Sequence, residues 1–255
     1  VIAIRLLLRR SYRLVRLALH VVWGILIAGL LLPLGTANFR DRLICNWSRQ
    51  LLHGLGIRLK LGRAPAHSGG ALLVCNHVSW LDIYLIYAAR RVHFVSKSEI
   101  RDWPIVGWLA EKCGTLFLER GRRADTARVN DAMRELMQDG AWVAVFPEGT
   151  TSDGRGLKRF LPSLLQPAVT LGCPIVPAAL RYTTLDGDYC AAAPYIDDTN
   201  VLQSLLRIIS EPGIVAELDF GEPLIANVHR RELAQLAELR VAELLAHSST
   251  RPTAH

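Results

Sequence analysis

The chain has 255 residues, 51% of them apolar, and 30 Lys+Arg against 23 Asp+Glu give a net charge of +7. This length holds one large core or two small ones without a stapling metal or disulfide, and the composition excludes a disordered or low-complexity polypeptide. The basic excess suits an acidic partner such as nucleic acid, anionic lipid or a phosphorylated substrate. Five cysteines, odd in number and without a C-x-x-C, argue against a zinc knuckle or disulfide scaffold and for a reducing compartment.

The first predicted elements are helical. Arg5, Arg9, Arg13 and Arg16 step by four, four and three residues, which on a helix makes one basic stripe. Residues 17–39 then carry no formal charge, and about 20 apolar residues cross a bilayer core. Together they read as a basic interfacial helix running into a membrane-embedded one. Gly24, Gly29, Pro33 and Gly35 weaken a straight span. Leu43, Ile44, Trp47, Leu51, Leu52 and Leu55 supply a second helix, so a pair dipping into one leaflet fits as well as a crossing. A secretory signal cleaved at Gly35-Thr36-Ala37, or a buried core helix, are the other readings. Residues 1–58 are thus expected to form membrane-embedded or interfacial helices, ahead of an α/β domain over 59–255.

From about residue 70, short apolar runs alternate with helical segments. Residues 71–75, 92–96, 115–118, 142–146, 174–180 and 214–220 read as strands, and their near-continuous apolar character suits strands covered on both faces. Residues 125–138 read as a helix capped by Asp125, apolar at Ala132, Met133, Leu136 and Met137, and ended by Gly140. Residues 228–246 read as another, apolar at Leu233, Leu236, Leu239, Val241, Leu244 and Leu245. Residues 191–200 read as a surface loop. The alternation predicts an α/β fold with a largely buried sheet flanked by helices.

G-x-S-x-G, P-loop, G-x-G-x-x-G, H-E-x-x-H and nucleic-acid-binding motifs are all absent, and no metal site is evident, so the basic charge needs another explanation. Polar residues do follow the buried strands, where α/β folds place chemistry. Asn76-His77-Val78-Ser79-Trp80-Leu81-Asp82 follows the first run. His77 and Asp82 lie about 140° apart on a continuous helix. They meet only if His77 sits in a turn and the helix starts near Ser79, which lets Asp82 orient the ring and leaves its other nitrogen as a base. The competing reading makes Asp82 a capping residue only. Arg120 ends another strand, with a guanidinium suited to phosphate. Phe146-Pro-Glu-Gly-Thr-Thr-Ser-Asp-Gly154 follows a third, with the glycines and hydroxyls of a tight turn.

In order and spacing these blocks resemble the glycerolipid acyltransferases, the group containing 1-acyl-glycerol-3-phosphate acyltransferase. Asn76-His77 with Asp82 matches N-H-x-x-x-x-D, and Gly114, Phe117 and Arg120 match G-x-x-F-x-x-R. Phe146 to Thr150 matches F-P-E-G-T, and Ile175-Val176-Pro177 matches the apolar fourth block. The resemblance covers residues 70–185 and implies a mixed, mostly buried sheet of the glycerol-3-phosphate acyltransferase type. One position departs: Thr151 stands where the family often has an arginine associated with the acceptor's phosphate. That leaves Arg120 and Lys97, with Arg155 or Lys158 as substitutes, and opens the identity of the acceptor.

The resemblance implies direct acyl transfer without an acyl-enzyme and without a cofactor. His77 is the expected base toward the acceptor hydroxyl, and Asp82 orients it. Asn76, Lys97, Gly114, Arg120, Glu148, Gly149, Thr150 and Thr151 are the expected substrate-binding residues. Backbone N–H groups near 76–78 or at Gly149–Thr150 are candidates for the oxyanion. The implied partners are a lysolipid acceptor, acyl-CoA or acyl carrier protein as donor, and membrane lipids, with no nucleic acid. The acceptor expected first is 1-acyl-glycerol-3-phosphate. A lyso-ornithine lipid or other lysophospholipid, a thioesterase, and a non-catalytic membrane-surface protein are the alternatives. If the first helix crosses, the arginine-rich start argues for a cytoplasmic N-terminus, an argument that Arg40, Arg42 and Arg49 on the far side blunt; the expected location is the inner membrane, with the catalytic domain on the cytoplasmic side.

Overall fold

The computed structural model describes residues 2–119 and 121–248. In chain order the elements are α1 (Ile2–Leu26), continued by a π-helical turn (Ile27–Leu31), α2 (Ala37–Leu55), β1 (Ile57–Leu61), β2 (Ala71–Cys75) and α3 (Leu81–Ala89). There follow β3 (His93–Lys97), α4 (Val106–Lys112), β4 (Leu116–Leu118), α5 (Arg123–Gln138) and β5 (Trp142–Val145). The chain closes with α6 (Gln166–Leu171), β6 (Ile175–Thr184), α7 (Val201–Ser210), β7 (Ile214–Phe220) and α8 (Arg230–Ser248). Two compact units result. The first takes the chain up to Lys60 together with Val78–Arg91 and Tyr182–Ala216. The second takes Leu61–His77, Val92–Arg181 and the chain from Glu217.

The strands run in the order β1-β7-β6-β2-β5-β3-β4. The pairs β2–β5, β2–β6, β3–β4 and β3–β5 are parallel, as expected where a helix separates successive strands. All five residues of β2 are buried, which is why its sequence is a continuous apolar run and not an alternation. In the second unit, Val129, Met133 and Met137 of α5 and Leu233, Ala234, Ala237 and Val241 of α8 belong to one core cluster with Leu72, Val74, Val143 and Val145.

Several local expectations change. Helix α5 starts at Arg123, ahead of Asp125; that carboxylate accepts the Glu119 N–H and pairs with Arg128. On α8 the buried stripe runs through Ala234 and Ala237, while Leu236 and Leu239 stay exposed, because small side chains allow the closer approach. In the 191–200 segment Ala192 and Ala193 are buried and the Tyr195 N–H bonds the Val78 carbonyl, so its first half is interior. Four elements, β1, α4, α6 and α7, were not anticipated. The alternation Ile-Arg-Leu-Lys-Leu of β1 is an edge-strand signature, and α7 opens with a capping box between Asn200 and Gln203.

In the first unit Thr36 caps α2 through the Phe39 N–H, and the chain before it folds α1 back on α2. His20 stacks on Trp47 with centroids 4.6 Å apart, and the indole N–H donates to the His20 carbonyl. The arginine stripe is the main reversal here. It turns inward at its centre: Arg13 is buried and donates to the carbonyls of Ile209, Glu211 and Pro212, while Arg5 stays exposed. Arg9 and Arg10 bond Ser210. The Ile209 and Ser210 carbonyls are among those that the C-terminal end of α7 leaves without helical partners, at the negative pole of its dipole, and those of Glu211 and Pro212 follow directly. Leu7, Leu8, Tyr12, Val15, Leu19, Val22 and Leu30 are among the apolar residues that α1 and its continuation leave exposed. A buried core helix is therefore excluded. Ala3–Leu31 is long and apolar enough to cross a membrane, and an outward apolar face of this kind is that of a membrane-associated helix.

Candidate active site

Strands β2 and β5 are adjacent and parallel with Val74 opposite Val145, so Asn76-His77 and Phe146-Pro147-Glu148 leave the sheet side by side at the carboxyl ends of their strands. The imidazole of His77 lies flat on the Phe146 ring, with centroids 4.0 Å apart and planes at 8°. Phe94 of β3 stacks on Phe146 at 5.8 Å. Stacking of this kind restricts the orientation of the imidazole.

The main chain of His77 is held on both its polar groups. Its N–H donates to Glu148 Oε1 at 2.7 Å, and its carbonyl accepts the Ser152 N–H at 2.8 Å and the Ser152 hydroxyl at 3.2 Å. Glu148 Oε2 accepts the Lys158 N–H at 3.0 Å. Burial pushes the Glu148 carboxyl up from its ordinary value, and these N–H bonds pull it back. Glu148 is thus spent on fixing the loop around the imidazole. Gly149 takes φ +72°, a backbone conformation that favours glycine, and its N–H closes the turn onto the Phe146 carbonyl.

Asp82 is wholly buried on the first turn of α3. Its Oδ2 accepts the N–H groups of Val78, at 2.7 Å, and Ser79, at 3.0 Å. Its Oδ1 accepts the Tyr182 hydroxyl at 2.5 Å. With the helix starting at Leu81, the carboxylate reaches back over its own first turn to the N–H groups of Val78 and Ser79, the bonds expected of a residue that caps that turn. Ser79 does not cap that helix: its hydroxyl has no hydrogen-bond partner.

Other expected site residues have definite places. Asn76 is buried, and its amide both donates to the Leu180 carbonyl (2.9 Å) and accepts the Leu180 N–H (2.7 Å), so it bonds like one more strand residue. The Gly114 N–H bonds the Glu111 carbonyl, and His93 Nδ1 lies 3.0 Å from the Gly114 carbonyl. Lys97 is exposed at the end of β3, Thr150 is exposed and Thr151 half-buried. Arg120 lies outside the described residues. The N–H groups of His77, Val78 and Gly149 are engaged by Glu148, Asp82 and Phe146, so these oxyanion candidates build the loop instead.

Sequence reasoning missed Tyr182 and Ser152. Ser152 extends a motif already singled out, but Tyr182 is 100 residues from Asp82 and no local pattern announces it. Lys158 is more than a distant substitute: its ammonium donates to the Thr151 carbonyl at 2.7 Å, which brings a cation to the position that departs from the family pattern.

Comparison with known proteins identifies the family and the fold. The Acyltransferase family model matches residues 58–181. A 1-acyl-sn-glycerol-3-phosphate acyltransferase of Neisseria meningitidis serogroup B is 37% identical over 187 residues, 73% of either chain. A lyso-ornithine lipid O-acyltransferase of Pseudomonas aeruginosa is 36% identical over 242 residues, covering 93% of this chain and 92% of that one. The crystal structure of the 1-acyl-sn-glycerophosphate acyltransferase PlsC from Thermotoga maritima superposes with a TM-score of 0.73 at 21% identity, over 99% of this chain and all of that one, and so shares the fold. By the identity and extent of these matches, the chain belongs to the acyltransferase family of lysolipid-modifying enzymes.

Proposed function

We propose that this membrane-associated O-acyltransferase moves a fatty acyl group from acyl-CoA or acyl carrier protein to the free hydroxyl of 1-acyl-glycerol-3-phosphate, giving phosphatidic acid. His77 takes the hydroxyl proton as the oxygen attacks the thioester carbonyl. The tetrahedral intermediate expels the thiolate, and the imidazolium returns the proton to it, so one ester and one thiol replace one alcohol and one thioester. Asp82 orients the imidazole and stabilises its charged form; a positioned base of this kind contributes about 10²–10⁴-fold. The observation that carries the reading is the His77 residue itself, clamped through its backbone by Glu148 and Ser152 and stacked on Phe146, at the end of a central buried strand.

A phosphorylated acceptor is favoured by Lys158, whose ammonium occupies the neighbourhood of Thr151. A second reading, a lyso-ornithine lipid as acceptor, is favoured by the relative of that name aligning over 93% of this chain and by the absence of an arginine at 151, since that head group carries no phosphate. Catalysis on the cytoplasmic side of the inner membrane fits the donors, which are cytoplasmic molecules. Purified enzyme offered a panel of lysolipids, with labelled acyl-CoA or acyl carrier protein, decides. Labelled phosphatidic acid as the main product is the expected result, diacylated ornithine lipid would replace the first reading with the second, and acceptor-independent fatty acid release would overturn both.

A further inference from the structure

We propose that Tyr182 is a positioning residue of this reaction: its phenol fixes the buried Asp82 carboxylate that orients the His77 base, an inference that rests on the base assignment above. Tyr182 stands on β6 and is itself buried. Its hydroxyl reaches Asp82 Oδ1 at 2.5 Å, at the short end for an O–H donor on a carboxylate. The other carboxylate oxygen is occupied by the Val78 and Ser79 N–H groups, both belonging to the turn that Asp82 itself follows. Those local bonds hold one oxygen from the same turn. The phenol supplies the second anchor from a different element. It is neutral at physiological pH, so it disperses the carboxylate's charge without cancelling the field that an imidazolium needs. A buried carboxylate lacking it would be both less satisfied and more basic.

The test is Tyr182→Phe, which keeps the ring and removes the donor. With labelled acyl-CoA and 1-acyl-glycerol-3-phosphate, kcat is expected to fall about 10-fold while both KM values stay within about twofold, the signature of an interaction that matters in the transition state. The acidic limb of the kcat–pH profile is expected to move to higher pH, because the carboxylate, deprived of its donor, holds the imidazolium proton more strongly. A purely structural role would not move that limb. Incorporation of 3-fluorotyrosine at 182, a stronger donor of nearly the same shape, moves the limb the opposite way and covers the case in which the phenylalanine variant does not fold. A limb that responds to neither change overturns the proposal. His77→Ala separates the two levels. If it abolishes transfer while the Tyr182 variants are silent, the tyrosine's role alone fails. If His77→Ala retains transfer, the base assignment fails and takes the positioning role with it.

Discussion

At Glu148 two opposite pulls act on one carboxyl: burial disfavours its charge, and the N–H groups of His77 and Lys158 favour it. Burial dominates, so the folded protein binds this proton more tightly than the unfolded chain. Stability contributed here is therefore full below the ordinary value of 4.5 and declines as pH rises through the raised one. Thermal melts from pH 4 upward are expected to show that decline in the wild type and to lack its contribution in Glu148→Gln. The same variant loses activity, since an amide offers one acceptor where the loop needs two; full activity would show that the clamp on His77 is dispensable. For His77→Ala the expectation is a fall in transfer of at least about 10²-fold with membrane binding kept. Lys158→Ala should raise KM for a phosphorylated lysolipid about 10-fold and leave an uncharged-head acceptor unaffected; equal effects on both would return Lys158 to a loop role. The residue identities at this scale were legible from the sequence, because the blocks stand in order. Their bonding was legible only in part: Asn76 matches the block but engages Leu180, while Glu148 bonds the backbone of its loop, one of the two roles open to it.

Among the elements, the join of α1, α2 and α7 depends on arginines that the sequence presents as one basic stripe. Periodicity locates such a stripe but cannot say whether water, lipid headgroups or helix ends receive it. Here the exposed carbonyls following α7 outcompete solvent for Arg13, because the residue is buried and three acceptors converge on it. Arg13→Ala should cost about 2–3 kcal/mol, read as a lowered Tm with faster amide exchange in α7. Gly56 ends α2 at φ +81°, and a Cβ there would lie 1.9 Å from the Arg13 guanidinium. Gly56→Ala should therefore destabilise the same join and be less than additive with Arg13→Ala, whose removal vacates the space. Strict additivity would show that the glycine is needed for its backbone conformation alone.

On the scale of the whole molecule, apolar side chains of α1 that no protein surface covers are the feature that membrane association explains. Leu8 and Leu19 are 64% and 67% exposed. Each leucine moved from water into lipid contributes about 1.5–3 kcal/mol, so Leu8→Asp with Leu19→Asp should reduce co-sedimentation with phosphatidylglycerol-containing vesicles more than about 10-fold. Turnover of a detergent-dispersed acceptor should persist, and undiminished co-sedimentation would place the membrane-binding face elsewhere. The sequence by itself determined the chemistry-bearing blocks, the strand–helix alternation and the apolar N-terminal helices, since all three are written in local spacing and hydrophobic period. Only the tertiary structure decided that Arg13 turns inward, that Ala234 and Ala237 share the buried face of α8 with Leu233 and Val241, and that Tyr182 meets Asp82 across 100 residues of chain. Those outcomes are competitions between partners brought together by packing, and a partner's identity is not encoded at the position that it satisfies.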